Sequence, residues 1–177
     1  MIDFISFLDV NSLLMNCIPY LSSDIQSIDQ SITSLIIPYF GCNDINNTIN
    51  CFSRFTLVES IEISNECFSR VETFQIDGLN RLKSIKIGNN SFTQNKNSYG
   101  DDQSKSFHIL NCESLESIQI DRYSFSDFAG EFELSNLPQL QSIQIGVVGS
   151  WSHNFFWSSF VIRGIYMILN IVMNRSS

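Results

Sequence analysis

Three segments of this chain are written in one pattern. FQIDGLNRLKSIKI (residues 74–87), FHILNCESLESIQI (107–120) and FELSNLPQLQSIQI (132–145) all read F-x-[IL]-x-x-[LC]-x-x-L-x-S-I-x-I. Such a repeat constrains the fold more than any composition. Each unit is too short to bury its own apolar face, so stability requires that successive units stack and share one core. The segment FVIRGIYMILNIVM (160–173) keeps Phe160, Ile162, Ile165, Ile168, Asn170, Ile171 and Met173 on the same register, and degenerate copies lie in CFSRFTLVESIEI and SITSLII. The anchors Ile32, Val58, Leu82, Leu115, Leu140 and Ile168 are spaced by 26, 24, 33, 25 and 28 residues. The base period is near 25.

The same register decides against a membrane span at the apolar C-terminal segment. A span over 155–173 would set Arg163 near mid-bilayer with Asn170 nearby, a costly placement for a charge. As a repeat, the segment needs no such cost. The net charge of −8, with only ten Lys and Arg, excludes a general nucleic-acid or anionic-lipid binder, since phosphate contacts need clustered cations. The first twenty residues contain Asp3 and Asp9 and no Lys or Arg, so they lack the basic region of a secretory signal. A cytoplasmic location is the expectation.

Within S-I-x-I the two isoleucines are two residues apart and leave a strand on one face, while the Ser and the x leave on the other. The expectation is a mainly β solenoid of parallel strands, with few or no helices within the repeats. Residues 28–177 form about six turns, and 1–27 form a capping segment or degenerate repeat. Ile61, Ile85, Ile118, Ile143 and Ile171 should make one core column, and Ile63, Ile87, Ile120, Ile145 and Met173 the next. Phe74, Phe107, Phe132 and Phe160 should line the opposite wall. The 33-residue interval contains TQNKNSYGDDQSKS (93–106), polar and Gly-containing, which reads as a flexible loop with no apolar anchor but Tyr99. A smaller aromatic insertion surrounds HNFFWSS.

The stretch LNRLKSIKIGNNSF (79–92) matches LxxLxxLxLxxNxL, with Phe92 in the last apolar slot. In this the chain resembles the leucine-rich repeat family over nearly its whole length. The Asn of that consensus stands only at Asn90, the equivalent places being assigned to Glu66, Tyr123 and Val148, so the resemblance is closest to the irregular BspA-like subtype. It implies a scaffold that binds protein partners on a concave sheet.

Chemistry of other kinds finds little support. The five cysteines are odd in number with no CxxC pair, and Cys67 and Cys112 fall in core slots, so neither a redox nor a metal role is expected. His108 and His153 have no nucleophile or carboxylate at a recurring spacing, GVVGS is wrongly spaced for a phosphate loop, and Asp101 with Asp102 reads as solvated charge. No catalytic residue, cofactor or metal site is assigned.

The outward rows of the main strands carry the information. Serines 34, 60, 84, 117 and 142 make one row; Glu62, Lys86, Gln119 and Gln144 belong to the middle row; Glu59, Lys83, Glu116 and Gln141 flank them. These eight charged and amide side chains are the candidate partner-binding residues. One reading is an interaction module that binds an unknown protein there. The other is a structural piece of a longer solenoid with no ligand of its own. Separately, self-association is expected through the apolar C-terminal repeat, where Val161, Leu169 and Val172 replace polar residues.

Overall fold

The structure, a computed structural model, describes residues 12–14, 32–44, 47–49, 52, 55–166 and 170–173. It contains two parallel sheets and no α-helix among those residues. The main sheet holds β1 (Ser12–Leu14), β2 (Ser34–Ile37), β4 (Ser60–Ile63), β6 (Ser84–Ile87), β8 (Ser117–Ile120), β10 (Ser142–Ile145) and β12 (Asn170–Met173), in that spatial order. The second sheet holds β3 (Asn47–Ile49), β5 (Val71–Asp77), β7 (Ser106–Leu110), β9 (Glu131–Ser135) and β11 (Ser159–Arg163). From β2 onward the described strands alternate between the sheets, and so the chain winds a solenoid of about five turns.

The register is the one that the repeat dictates. Ser60, Ser84, Ser117 and Ser142 pair across β4, β6, β8 and β10, and the isoleucines after them pair likewise. Because strand side chains alternate, that pairing buries Ile61, Ile85, Ile118 and Ile143 in one column and Ile63, Ile87, Ile120 and Ile145 in the next. The copy at β12 pairs Ile171 with Ile143 and Met173 with Ile145. β1, from the segment expected to cap the array, pairs with β2 and so extends the main sheet.

The Phe column of the second sheet forms as expected. Ring centroids are 5.1 Å apart for Phe74 and Phe107, 4.9 Å for Phe107 and Phe132, and 4.6 Å for Phe132 and Phe160. A second column, not read from the sequence, faces it: Phe68, Phe92, Phe125 and Phe155 stack at 4.9, 4.5 and 4.8 Å. The columns meet edge to face, with Phe74 on Phe92, Phe107 on Phe125 and Phe132 on Phe155.

The second column depends on an unusual backbone. After β4, β6, β8 and β10 two residues in three take positive φ: Glu66 and Phe68, Asn90 and Phe92, Tyr123 and Phe125, His153 and Phe155. A left-handed non-glycine residue costs about 1–2 kcal/mol. Two such residues per turn cost about 2–4 kcal/mol; burying the Phe returns about 1.5–3 kcal/mol and each of its stacked and edge-to-face ring pairs about 0.5–1.5 more, so the packing offsets the strain. This geometry also corrects the consensus-Asn alignment: in the last turn the place of Asn90 is taken by His153, displaced by the insertion, and not by Val148. Backbone bonds tie the turns together, as from Glu66 N–H to Asn89 O and from Tyr123 N–H to Ser152 O. Close stacking excludes a side chain at Gly88, where a Cβ would lie 2.3 Å from Asn65 Oδ1.

The 93–106 insertion is exposed over 94–99 and 101–104, as its polar composition suggests, but it is anchored at both ends. Thr93 is buried with its hydroxyl 2.8 Å from Ser126 Oγ, Asn97 N–H donates to Asn90 Oδ1, and Asp102 bridges the chain at Phe128. Lys105 is buried as well, its Nζ 2.8 Å from Asp127 Oδ2 and over the Phe128 ring. A charge hidden at the end of a polar insertion leaves no periodic signal, so this anchor is not legible in the sequence.

A buried ion pair is costly to break from one side, because the remaining charge is left without water or partner. Lys105→Met should therefore lower unfolding free energy by roughly 3–5 kcal/mol in a urea titration. A loss near that of an exposed Lys would show that the insertion contributes nothing to the core.

Candidate functional site

The outward strip of the main sheet is built by the same register that builds the core. Glu62 on β4 lies beside Lys86 on β6, Gln119 on β8 and Gln144 on β10. The flanking residues sit one step before their strands and are joined by their own backbone bonds: Lys83 N–H to Glu59 O, Glu116 N–H to Lys83 O, and Gln141 N–H to Glu116 O. Each predicted row is therefore continuous in space.

The rows are chemically uneven. Lys83 Nζ lies 2.7 Å from Glu59 Oε2, and Lys86 Nζ lies 3.1 Å from Glu62 Oε1. The one hydrogen bond from Lys83 Nζ to Glu59 Oε2 holds the Glu59 carboxyl below the usual range and raises the Lys83 ammonium above its own, with the Glu116 charge adding to the latter. Both pairs are exposed, so water screens them and they organise the surface more than they stabilise it. Toward β8 and β10 the middle row turns neutral. Gln119 Nε2 donates to Asp121 Oδ1 and Gln144 Nε2 to Gly146 O, each at 3.2 Å, while Glu116 and Gln141 are exposed. A groove of about 350 Å³ crosses β6, β8 and β10, lined by Lys86, Gln119, Gln144 and the serine row. Ser34 and Ser60 make the ladder expected of small stacked side chains, 3.1 Å apart.

Two features lie outside the sequence expectation. Tyr99 from the long insertion meets residues of the aromatic one: it stacks on Phe156 at 5.0 Å and packs edge-on to His153 at 5.2 Å, while Trp151 and Tyr123 also flank His153. Tyr99, Trp151 and Trp157 are all about half or more exposed. The signal for this cluster was the aromatic content of both insertions; that they converge is a property of stacking. The second feature corrects the reading of His108 as lacking a carboxylate neighbour. Glu131 and Glu133 of the adjacent strand both face it.

The thiols conform in part. Cys67 and Cys112 are free and buried, and burial pushes each up to about 11, so neither is a nucleophile near neutral pH. Cys42, by contrast, is disulfide-bonded, a bridge that the spacing of the cysteines did not announce.

Comparison with protein-family models, curated proteins and solved structures finds no match to this chain.

The raised thiol values have a consequence for stability. The folded chain holds these protons more tightly than the unfolded one, so this contribution is complete below the ordinary thiol value of 9.0 and is lost as pH rises through about 11. Unfolding free energy should fall across that window, and the fall should be shallower in Cys67→Ala/Cys112→Ala. Equal slopes for parent and variant would contradict buried, protonated thiols.

Proposed function

We propose that the chain is an interaction scaffold of the irregular leucine-rich repeat kind, which binds a protein partner on the outward strip of its main sheet. The observation that carries this reading is the groove across β6, β8 and β10, where Lys86, Gln119 and Gln144 stand side by side on a rigid backbone. A strip of identical residues would present the same contact at every turn and read nothing. Here the side chains change from paired charges to amides along the rows, and such variation lets a partner be placed in one register only. Lys86 is engaged by Glu62, and among the described residues no hydrogen bond joins it to a serine of the groove, so recognition suits the groove better than catalysis.

The exposed aromatic cluster at Tyr99, Trp151 and Trp157 supports the same class of function, because Tyr and Trp are the side chains that most often dominate protein interfaces. The disulfide at Cys42 fits an oxidising compartment better than the cytoplasm, where thiols are kept reduced.

The test is affinity capture with the folded chain followed by mass spectrometry, run beside two variants. Glu62→Ala/Lys86→Ala/Gln119→Ala should abolish capture of the retained partner, and Trp151→Ala/Trp157→Ala should weaken it. Retention unchanged by the first variant would remove the strip as the binding surface.

A second reading, self-association through the C-terminal repeat, is favoured by one exposure. Ile162 on β11 occupies the position of Ile76, Ile109 and Leu134, which are wholly buried, yet it is 41% exposed, and Tyr166 after it is 82% exposed. Val161 is half-buried, while Leu169 and the side chain of Val172 lie outside the described residues. β11 ends the second sheet there, and an apolar strand edge favours pairing with another copy. Sedimentation across a concentration series should show association in the parent that Ile162→Lys reduces. A parent that remains monomeric throughout would dismiss this reading.

A further inference from the structure

On the outer face of the second sheet, His108 of β7 stands before two carboxylates of β9. Its Nδ1 lies 3.4 Å from Glu133 Oε2 and 3.9 Å from Glu131 Oε1, and one ligand atom from each of the three residues lies within 4.8 Å of the others. Parallel pairing produces this arrangement. His108 is directly opposite Glu133, and Glu131, two residues earlier on the same strand, leaves on the same face.

The charge there is unbalanced. Among the described residues no Lys or Arg forms an ion pair with either glutamate, and the residues in register with the three, Gln75, Ser159 and Val161, are uncharged; Arg163, two residues beyond Val161 on the same face, is opposite Ser135. A protonated imidazole would bring one positive charge to two carboxylates. A dication would match both.

The spacing also suits coordination. With bonds of about 2.0–2.2 Å, the ligand atoms of a tetrahedral site stand roughly 3.3–3.6 Å apart. The His108–Glu133 separation already has this value. Glu131 needs only a torsional adjustment, and its side chain is 43% exposed, so little packing resists it.

We propose that His108, Glu131 and Glu133 form a binding site for one divalent transition-metal ion, zinc being the best fit to one imidazole and two carboxylates. The ion would clip β7 to β9 and keep one coordination position open to solvent. The competing donors are weak: Cys67 and Cys112 are buried thiols that must lose a proton to bind zinc, and His153 is enclosed among aromatic rings. A hard ion such as magnesium, which prefers oxygen ligands in octahedral geometry, should not compete.

The experiment uses the tag-free chain, stripped of metal with a chelator, and titrates zinc chloride at neutral pH by calorimetry. Roughly one equivalent should bind, and His108→Gln and Glu133→Gln should each weaken binding by about 10- to 100-fold or more. Zinc should also raise the melting temperature of the parent and not of the variants, since binding to the folded state alone stabilises it. With only two histidines in the chain, ring resonances give a direct readout in the parent that needs no variant: zinc should move His108 and leave His153 in place. A parent without zinc uptake, an effect centred on His153, or folded variants that bind as well as the parent would overturn the proposal.

Discussion

The stacking of two phenylalanine columns is the interaction on which the rest of this molecule depends. One column lies along the second sheet through Phe74, Phe107, Phe132 and Phe160; the other runs along the turns through Phe68, Phe92, Phe125 and Phe155. Their rings meet edge to face, so a turn cannot slip past its neighbour without breaking contacts on both columns. That constraint sets the register of both sheets. Through the register it also sets which side chains are neighbours on the surface.

Surface geometry here is thus a by-product of core geometry. Glu62 meets Lys86, and His108 meets Glu133, because the Phe and Ile positions between them are matched turn by turn. A parallel ladder brings residues about 4.8 Å apart that are 24 or more apart in the chain. The two outward faces then differ in character. The main sheet shows paired charges that pass into amides, and the second sheet shows carboxylates gathered about a histidine.

Insertions add what a uniform repeat cannot. The 93–106 segment enters the core through Thr93 and Lys105 and then returns Tyr99 to the surface, where it meets Phe156 and His153 of the next insertion. A left-handed turn at each repeat leaves room for such excursions without disturbing the strands, because backbone bonds between adjacent turns carry the stack past them.

Much of this was legible in the chain itself. The S-I-x-I and F-x-[IL] patterns repeat at a near-constant spacing, and apolar periodicity reports directly which side chains must leave water; hence the two sheets, their parallel sense, their register and the outward rows of Glu59, Glu62, Lys83, Lys86, Glu116, Gln119, Gln141 and Gln144. The second Phe column was not legible as a wall, because Phe68, Phe92, Phe125 and Phe155 reach it through positive φ, a backbone state that no hydrophobic pattern announces. Nor was the burial of Lys105, which depends on Asp127 arriving from the next turn. The grouping of His108 with Glu131 and Glu133, and of Tyr99 with Trp151 and Trp157, likewise depended on tertiary structure. Local sequence decides which face of a strand a residue occupies, but which residues of other turns share that face is decided only when the turns are stacked.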